Sequence, residues 1–315
     1  MKKGLNHERL DLKLVKTTGL TRSQVQKIIK NGGVKVNDLV VKTPHAFISS
    51  EDKIKIADNY RDTVGKPKLK TDNHLKLNFL FEDKDVVVFE KPAGLMVHEA
   101  TGKNEITVTD LLIKHCPAIK KIGDDPRRPG IVHRLDKLAS GVMIAAKTPT
   151  AFDFLKKQFS EHATKKEYLV LVYGTPGKDN GTISFKLGRS KTKGRMVAHP
   201  ADSEDGKEAI THFEVIQRFK TNALLRVIIE TGRTHQIRAH FRAMNLPVVG
   251  DPLYKKNYMK NIKPIPLPRL FLHAHKLTIP LPDGSTPTFE SPLPDELKQI
   301  LNELPSPTKP TSPLS

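Results

Sequence analysis

The stretch IVHRLDKLASGVMIAAKT, residues 131–148, places a cluster of ionisable and polar side chains between two apolar runs. The second run, residues 142–146, predicts a buried strand because it is apolar almost without interruption. Charged groups in a buried frame are costly unless they are paired, so this cluster needs either a partner or a chemical role. The alternative is a tight surface turn, in which Asp136 and Ser140 favour the turn and Gly141 adopts a positive φ.

The charge of the chain limits the partners it can have. Its 315 residues include 53 Lys and Arg against 34 Asp and Glu, an excess of 19. Such an excess indicates a polyanionic partner, most often nucleic acid. No apolar run approaches the roughly 20 residues of a membrane span, and the basic N-terminus lacks the apolar core of a signal peptide. The single cysteine, Cys116, excludes an internal disulfide and a Cys-based zinc site, so we expect a cytoplasmic protein.

The first 58 residues predict a small unit of their own. A short helix ends at Thr18 and Gly19, and Thr21 offers an N-cap to a second helix whose apolar residues share one face. The basic residues of the second helix lie off that face, toward solvent: Arg22, Lys27 and Lys30. A short strand and a turn follow at residues 34–38. A basic helix beside a short hairpin suits the backbone of RNA, and a merely solvated charged face is the alternative.

The rest of the chain divides into three parts. Residues 59–73 contain few apolar side chains and predict an extended linker. Residues 74–304 form the large domain, and residues 305–315, rich in Pro, Ser and Thr, predict a disordered tail. In the large domain, strands outnumber helices and alternate in a way that favours antiparallel pairing. We therefore expect an α+β fold, with a mixed, mostly antiparallel sheet flanked by helices.

Local signals place several elements of the large domain. Residues 101–130 read as a polar loop, and Thr148 caps a helix that begins at Pro149. Thr234 is expected to cap a further helix, and His273 and His275 are expected to precede a strand. No glycine-rich phosphate loop follows any strand, so we expect no nucleotide cofactor.

The polar residues support chemistry by one carboxylate better than a metal site. His235 and His240 are five apart, which does not place them on one helical face, and no acid is spaced to join them. A hydrolase with two carboxylates needs a second acid in a comparable buried setting, and the sequence suggests none. A lone Asp136 therefore suits a nucleophile, which needs a nearby cation to stay ionised. Three arginines are candidates for that cation: Arg233, Arg238 and Arg242. Contact with phosphate is the alternative role for each.

Six ordered blocks carry a resemblance to a known family: FEKPAGLMVH, HRLDKLASG, KKEYLVLVYG, ETGRTHQIRAH, VVGDPLY and RLFLHAHKL. They span about residues 75–282 and resemble the RluA family of RNA pseudouridine synthases. In front of them, RLDLKL followed by GLTRSQVQKIIKNGGVKVND is similar to the alpha-L RNA-binding motif named for small-subunit ribosomal protein S-four. The combination resembles the branch that modifies large-subunit ribosomal RNA. It implies a pseudouridine synthase fold preceded by a small module that grips structured RNA.

The resemblance also implies roles for individual residues. Asp136 matches the essential aspartate of the family, Arg238 the arginine paired with it, and Tyr168 the tyrosine that packs on the target uracil. The implied substrate-binding residues are Arg134, which enters the RNA stack where the base has left, Ile237 in the base pocket, His133 and Arg233. The implied RNA-binding residues of the N-terminal module are Arg9, Arg22, Ser23, Lys27 and Lys30. The sequence departs from the family pattern at Ala139, where Thr or Ser is usual, and at Glu90, where Asn is common.

The implied reaction converts uridine to pseudouridine. The bond from ribose to N1 breaks, the base turns, and the base rejoins the ribose through C5. Nothing is oxidised or added, so no cofactor and no metal are expected, and we expect a monomer. Three routes remain open for the aspartate: attack on the ribose, attack on the base, or help in forming a glycal. A transfer-RNA target and a non-catalytic role in ribosome assembly also remain open.

Tyr168 has two possible roles within that reaction. Its ring could stack on the uracil, or its hydroxyl could accept the proton that C5 must lose. We favour the hydroxyl role.

Overall fold

A computed structural model describes six ranges of the chain: residues 8–18, 22–57, 76–98, 105–190, 195–254 and 264–306. The chain divides into two units, one of residues 1–73 with 99–106 and one of residues 74–98 with 107–315. The predicted linker, the expected N-cap Thr21 and most of the predicted tail lie outside the described residues.

The first unit has two helices beside short strands. They are β1 (Glu8–Arg9), α1 (Leu10–Thr18), α2 (Arg22–Lys30), β2 (Val34–Val36), β3 (Leu39–Val40), β4 (Phe47–Ile48) and β5 (Ile54–Ile56). β2 pairs antiparallel with β3 and β5, and β1 pairs with β4. Asn37 and Asp38 join β2 to β3 with φ of 50° and 64°, a left-handed pair that matches the twist of a two-residue hairpin. The predicted second helix is confirmed, since its apolar residues Val25, Ile28 and Ile29 are buried.

The second unit is built on one large sheet. Its strands are β6 (Asn78–Glu82), β7 (Val86–Lys91), β8 (Ser140–Ala146), β9 (Lys165–Tyr173), β10 (Asn180–Arg189), β11 (Met196–His199), β12 (Lys207–Arg218), β13 (Asn222–Ile229), β14 (Leu272–Thr278) and β15 (Thr288–Glu290). Its helices are α3 (Val108–His115), a 3-10 turn (Pro117–Lys121), α4 (Pro149–Ser160), α5 (Gln236–Ala243) and α6 (Asp295–Glu303). The strand order is β11-β10-β12-β13-β9-β14-β8-β7-β6, with β15 paired to β14. The predicted α+β class, with a mixed and mostly antiparallel sheet, is confirmed.

The stretch of residues 131–148 contributes β8, an interior strand of this sheet. Every residue of β8 is buried, as its continuous apolar run predicts for a strand covered on both faces. β8 pairs antiparallel with β7 and parallel with β14. Position 141 requires glycine, because its φ is 121° and the Cβ of any other residue would collide with the backbone of Ala274. Gly141 is the second residue of β8, so this backbone conformation lies where the strand joins the preceding polar loop, residues 132–139.

Three local predictions need correction. Residues 101–130 include α3, which begins at a reciprocal cap: the Thr107 hydroxyl accepts from the Asp110 amide, and the Asp110 carboxylate accepts from the Thr107 amide. His235, and not Thr234, is the N-cap of α5, because its left-handed backbone turns the chain into the helix. His273 and His275 lie within β14 and do not precede it. In the described part of the chain, no helix is both long and apolar enough to cross a membrane.

Candidate active site

A cavity of about 580 Å³ opens between the polar loop, β9 and the start of α5. Asp136 and Arg134 enter it from the loop, Tyr168 from β9, and Ile237 and Arg238 from α5. These residues are up to 104 positions apart in the chain, as Arg134 and Arg238 show, and the sheet brings them together. The predicted substrate-binding residues His133 and Arg233 also line the cavity.

Arg238 is the cation that contacts Asp136. Its Nη1 donates to Oδ2 of Asp136 at 2.8 Å, while its Nε and Nη2 donate to the two oxygens of Asp251 at 2.7 and 2.9 Å. Burial lowers the pKa of Arg238, but its hydrogen bonds to Asp251 and the charges of both carboxylates raise the pKa by more, so the net shift is upward. The guanidinium is therefore a fixed positive charge between two carboxylates. Of the three candidate arginines, the structure selects this one.

Asp251 corrects the prediction that no second acid occupies a buried setting. Its side chain is 1% exposed and accepts, besides the Arg238 guanidinium, the backbone amides of Leu253 and Tyr254. It does not line the cavity, so it orients Arg238 and leaves the space beside Asp136 to a substrate. The signal was present in the sequence, because Asp251 follows the apolar run Val248-Val249-Gly250, as Asp136 follows Ile131-Val132.

A buried glutamine shapes the turn that carries Arg238. Gln236 accepts hydrogen bonds from the Thr231 hydroxyl and the Arg233 amide, and it donates to the Ile210 carbonyl and the Thr211 hydroxyl. The two donated bonds tie the N-terminus of α5 to β12, and the two accepted bonds tie it to the turn that precedes the helix. They hold the turn at His235 in its left-handed conformation, with φ of 54°.

His133 and Lys91 support the polar loop from behind. The Nε2 atom of His133 accepts the Ile144 amide at 3.1 Å, and its ring stacks on Phe159. Burial lowers the pKa of His133 to about 3, so the imidazole is neutral. Lys91 donates to three backbone carbonyls, including that of Lys137, and burial lowers its pKa to about 7. His133 thus uses its Nε2 atom to hold the loop, which leaves that atom unable to contact a substrate.

The cavity wall near Asp136 is aromatic and apolar, while its rim is cationic. Tyr168 and Ile237 are 8% and 5% exposed. Burial, and secondly the Asp136 charge, raise the pKa of Tyr168, so its hydroxyl is protonated at neutral pH. Four exposed cations line the rim: Arg128, Arg134, Lys156 and Arg233. A flat base could enter between the apolar walls while phosphates stay at the rim.

The first unit carries a separate cluster of charges. Asp11 is fully buried and accepts from Arg9, from Nε of Arg22 and from Gln26. Burial raises the pKa of Asp11, but the hydrogen bonds from Gln26, Arg9 and Arg22 outweigh it and hold the pKa well below its usual range. The two arginines are therefore held in fixed orientations at the surface of this unit. Lys27 and Lys30 are exposed, and the side chain of Ser23 is not among the parts of the chain that the structure describes.

We expect Arg238→Met to destabilise the second unit. The substitution leaves the carboxylates of Asp136 and Asp251 without their shared cation. Removing one partner of a buried ion pair should lower the free energy of unfolding by about 3–5 kcal/mol. Arg238→Lys keeps a charge and should lose less stability. Urea unfolding curves measure the free energy of unfolding of each variant, and a Met variant as stable as the wild type would contradict the pairing.

A carboxylate held against an arginine inside a cavity is the arrangement expected of an enzyme active site. Residues 85–243 match the family described as RNA pseudouridylate synthase, and residues 8–54 match the S4 domain. The chain belongs to the RNA pseudouridylate synthase family and is accordingly an isomerase that acts on RNA.

Individual relatives agree with this assignment. The chain is 35% identical over 283 residues to a Synechocystis protein named uncharacterized RNA pseudouridine synthase, covering 90% of this chain and 84% of that one. It is 34% identical over 309 residues to the ribosomal large subunit pseudouridine synthase D of Neisseria meningitidis, covering 94% and 78%. The structure of human RNA pseudouridylate synthase domain containing 1 aligns with a TM-score of 0.57 at 25% identity, covering 74% of this chain and 97% of that one.

Among the described residues, no three or more His, Cys, Asp or Glu side chains converge as a set of metal ligands. The two histidines considered from the sequence, His235 and His240, have different surroundings. His240 is hydrogen-bonded to the Thr211 hydroxyl, whereas His235 lines the cavity.

Proposed function

We propose that Asp136 is the nucleophile of this pseudouridine synthase. The observation that carries the proposal is the Asp136–Arg238 pair inside the cavity, in which Oδ2 of Asp136 accepts from the arginine. The site is partly desolvated, since the Asp136 side chain is 16% exposed, and Arg238 places a positive charge beside the carboxylate. The oxygen that carries no hydrogen bond from a described residue is the one available to react.

The target uridine reaches this oxygen by leaving its stack. Base flipping costs a few kcal/mol, which stacking on an aromatic ring can offset. Tyr168 and Ile237 line the cavity, and we propose that Arg134 at the rim fills the gap in the RNA stack. After the glycosidic bond breaks, the enclosed uracil turns in place and rejoins the ribose through C5. Each of the three routes for the aspartate is compatible with this arrangement.

We further propose that the substrate is large-subunit ribosomal RNA. The proposal rests on the S4 domain and on relatives named ribosomal large subunit pseudouridine synthase D. Mapping pseudouridines in total RNA from cells with and without this protein tests it. We expect one or a few positions in large-subunit ribosomal RNA to revert to uridine, and loss confined to transfer RNA would contradict the proposal.

We expect the exposed lysines of α2 to set part of the salt dependence of RNA binding. Each lost phosphate contact should reduce the slope of log affinity against log salt by roughly 0.7–0.9. The double variant Lys27→Ala with Lys30→Ala should therefore flatten the slope by up to about 1.4–1.8. Filter binding of a large-subunit RNA fragment between 50 and 300 mM salt measures it.

A matched control removes the same charge elsewhere. Lys178 and Lys220 are exposed in the second unit and do not line the cavity, so their double Ala variant should keep the wild-type slope. Equal slopes for both double variants would show that α2 makes no special contact with RNA.

A further inference from the structure

His235 presents an unused nitrogen to the cavity beside the proposed nucleophile. Its Nε2 atom lies 3.9 Å from Oδ1 of Asp136, too far for a hydrogen bond. The side chain is 24% exposed and lines the cavity, and its Nε2 atom has no hydrogen bond to a described residue. The position is not accidental, because the left-handed backbone of His235 is held by the bonds of Gln236.

The other ring nitrogen of His235 determines which atoms carry protons. The Tyr254 hydroxyl donates to the Met196 carbonyl at 3.1 Å and accepts the Met196 amide at 3.0 Å. The Met196 carbonyl can only accept, so we assign the single hydroxyl proton to that bond and Nδ1 of His235 as the donor in its 3.2 Å contact with the Tyr254 oxygen. In a neutral imidazole the proton on Nδ1 leaves Nε2 as an acceptor.

The charge state of the ring agrees with this assignment. Burial lowers the pKa of His235, the Asp136 charge opposes that shift, and Arg238 adds to it. The net shift is downward, so the ring is neutral at physiological pH. Two acceptors, Nε2 of His235 and Oδ1 of Asp136, therefore lie close together in the cavity lining, where a hydrogen-bond donor of the substrate could bind.

The chemistry of the substrate identifies that donor. In the three routes, the aspartate acts on C1′, on C6 of the base, or on the hydrogen of C2′. Each of these atoms lies within two bonds of C1′, and so does the 2′-oxygen of the ribose. A uridine placed for reaction with Oδ1 of Asp136 thus brings its 2′-hydroxyl near Nε2 of His235.

We propose that Nε2 of His235 accepts a hydrogen bond from the 2′-hydroxyl of the target uridine and makes the enzyme select ribose over deoxyribose at that position. Tyr254 is the positioning residue, because its hydroxyl holds Nδ1 and its ring packs on the Arg238 guanidinium at 5.0 Å. A 2′-hydroxyl is the group by which a protein distinguishes RNA from DNA at a single nucleotide. The proposal rests on the role proposed above for Asp136.

The test compares two hairpins that differ at one atom. The RNA carries the mapped target uridine, with either ribose or 2′-deoxyribose at that nucleotide alone, and kcat/KM is measured for each. His235→Asn keeps a donor in the place of Nδ1, tolerates the left-handed backbone and removes the acceptor at Nε2. We expect the wild-type enzyme to prefer the ribose hairpin at least about tenfold more strongly than the Asn variant does. The comparison of ratios removes any effect of the deoxy sugar on the intrinsic chemistry.

Equal ribose preferences in the wild type and the folded Asn variant would overturn the proposal. His212→Asn, which changes a partly exposed imidazole outside the cavity, should keep the wild-type preference. A second measurement does not depend on a His235 variant: Asp136→Asn protein should bind the ribose hairpin several-fold more tightly than the deoxyribose hairpin, and equal affinities would also overturn it. Failure of the nucleophile proposal is recognised separately, by turnover of the ribose hairpin by Asp136→Asn.

Discussion

Asp136→Asn is expected to lower kcat by at least about 10⁴-fold while RNA binding stays within a few-fold of wild type. The amide has the size of the carboxylate, and its oxygen can still accept from Nη1 of Arg238, so the loop should keep its position. What disappears is the negative charge that, in the role proposed for Asp136, attacks the substrate or removes its proton. Release of tritium from RNA labelled at C5 of uracil measures turnover, and a gel shift measures binding.

The control for this variant makes the same chemical change at a position outside the cavity. Asp153 is exposed on α4 and does not line the cavity, so Asp153→Asn should turn over RNA at the wild-type rate. Turnover by Asp136→Asn within tenfold of the wild type would mean that another group carries the chemistry.

Tyr168→Phe is expected to lower kcat by about 10²–10⁴-fold, the usual worth of a positioned proton-transfer group. Once the new bond to C5 has formed, the proton on C5 must leave. Burial and the Asp136 charge raise the pKa of Tyr168, so the hydroxyl is neutral and must pass on its own proton as it accepts this one. Asp136, whose charge acts on the hydroxyl, is the group that we propose as the acceptor of that proton. Affinity for RNA should change less than about threefold, because the ring that stacks on the base remains.

Two comparisons separate the hydroxyl of Tyr168 from its ring. Tyr168→Leu removes both and should weaken binding by about 1–3 kcal/mol as well. Tyr173→Phe changes a hydroxyl on the same strand that accepts the Ile265 amide outside the cavity, and it should leave the rate unchanged. Near-normal pseudouridine formation by Tyr168→Phe would leave stacking as the only role of the residue.

The local elements were predictable where a few adjacent residues determine them. Thr148 and Pro149 mark the start of α4 because a cap and a fixed φ act within one turn of helix. Thr107 and Asp110 form the reciprocal cap of α3 by the same local rule, but polar neighbours make this helix start hard to recognise in the sequence. The predicted start of β14 was wrong because His273 and His275, polar side chains inside the strand, hide the alternation of apolar and polar residues. His273 is buried there through its bonds to Ser140 and to the Ser291 carbonyl.

The sequence by itself determined the buried strand of residues 140–146, the polar interruption before it, and Asp136 as the acid to examine. These follow from hydrophobic runs and turn chemistry, which depend on neighbours in the chain. Only the tertiary structure chose Arg238 over Arg233 and Arg242, since that choice depends on a 2.8 Å contact between residues 102 positions apart. It also supplied Asp251 as the orienting acid and assigned the free nitrogen of His235. Ion pairs and hydrogen bonds act over a few ångströms in space, and sequence separation does not report that distance.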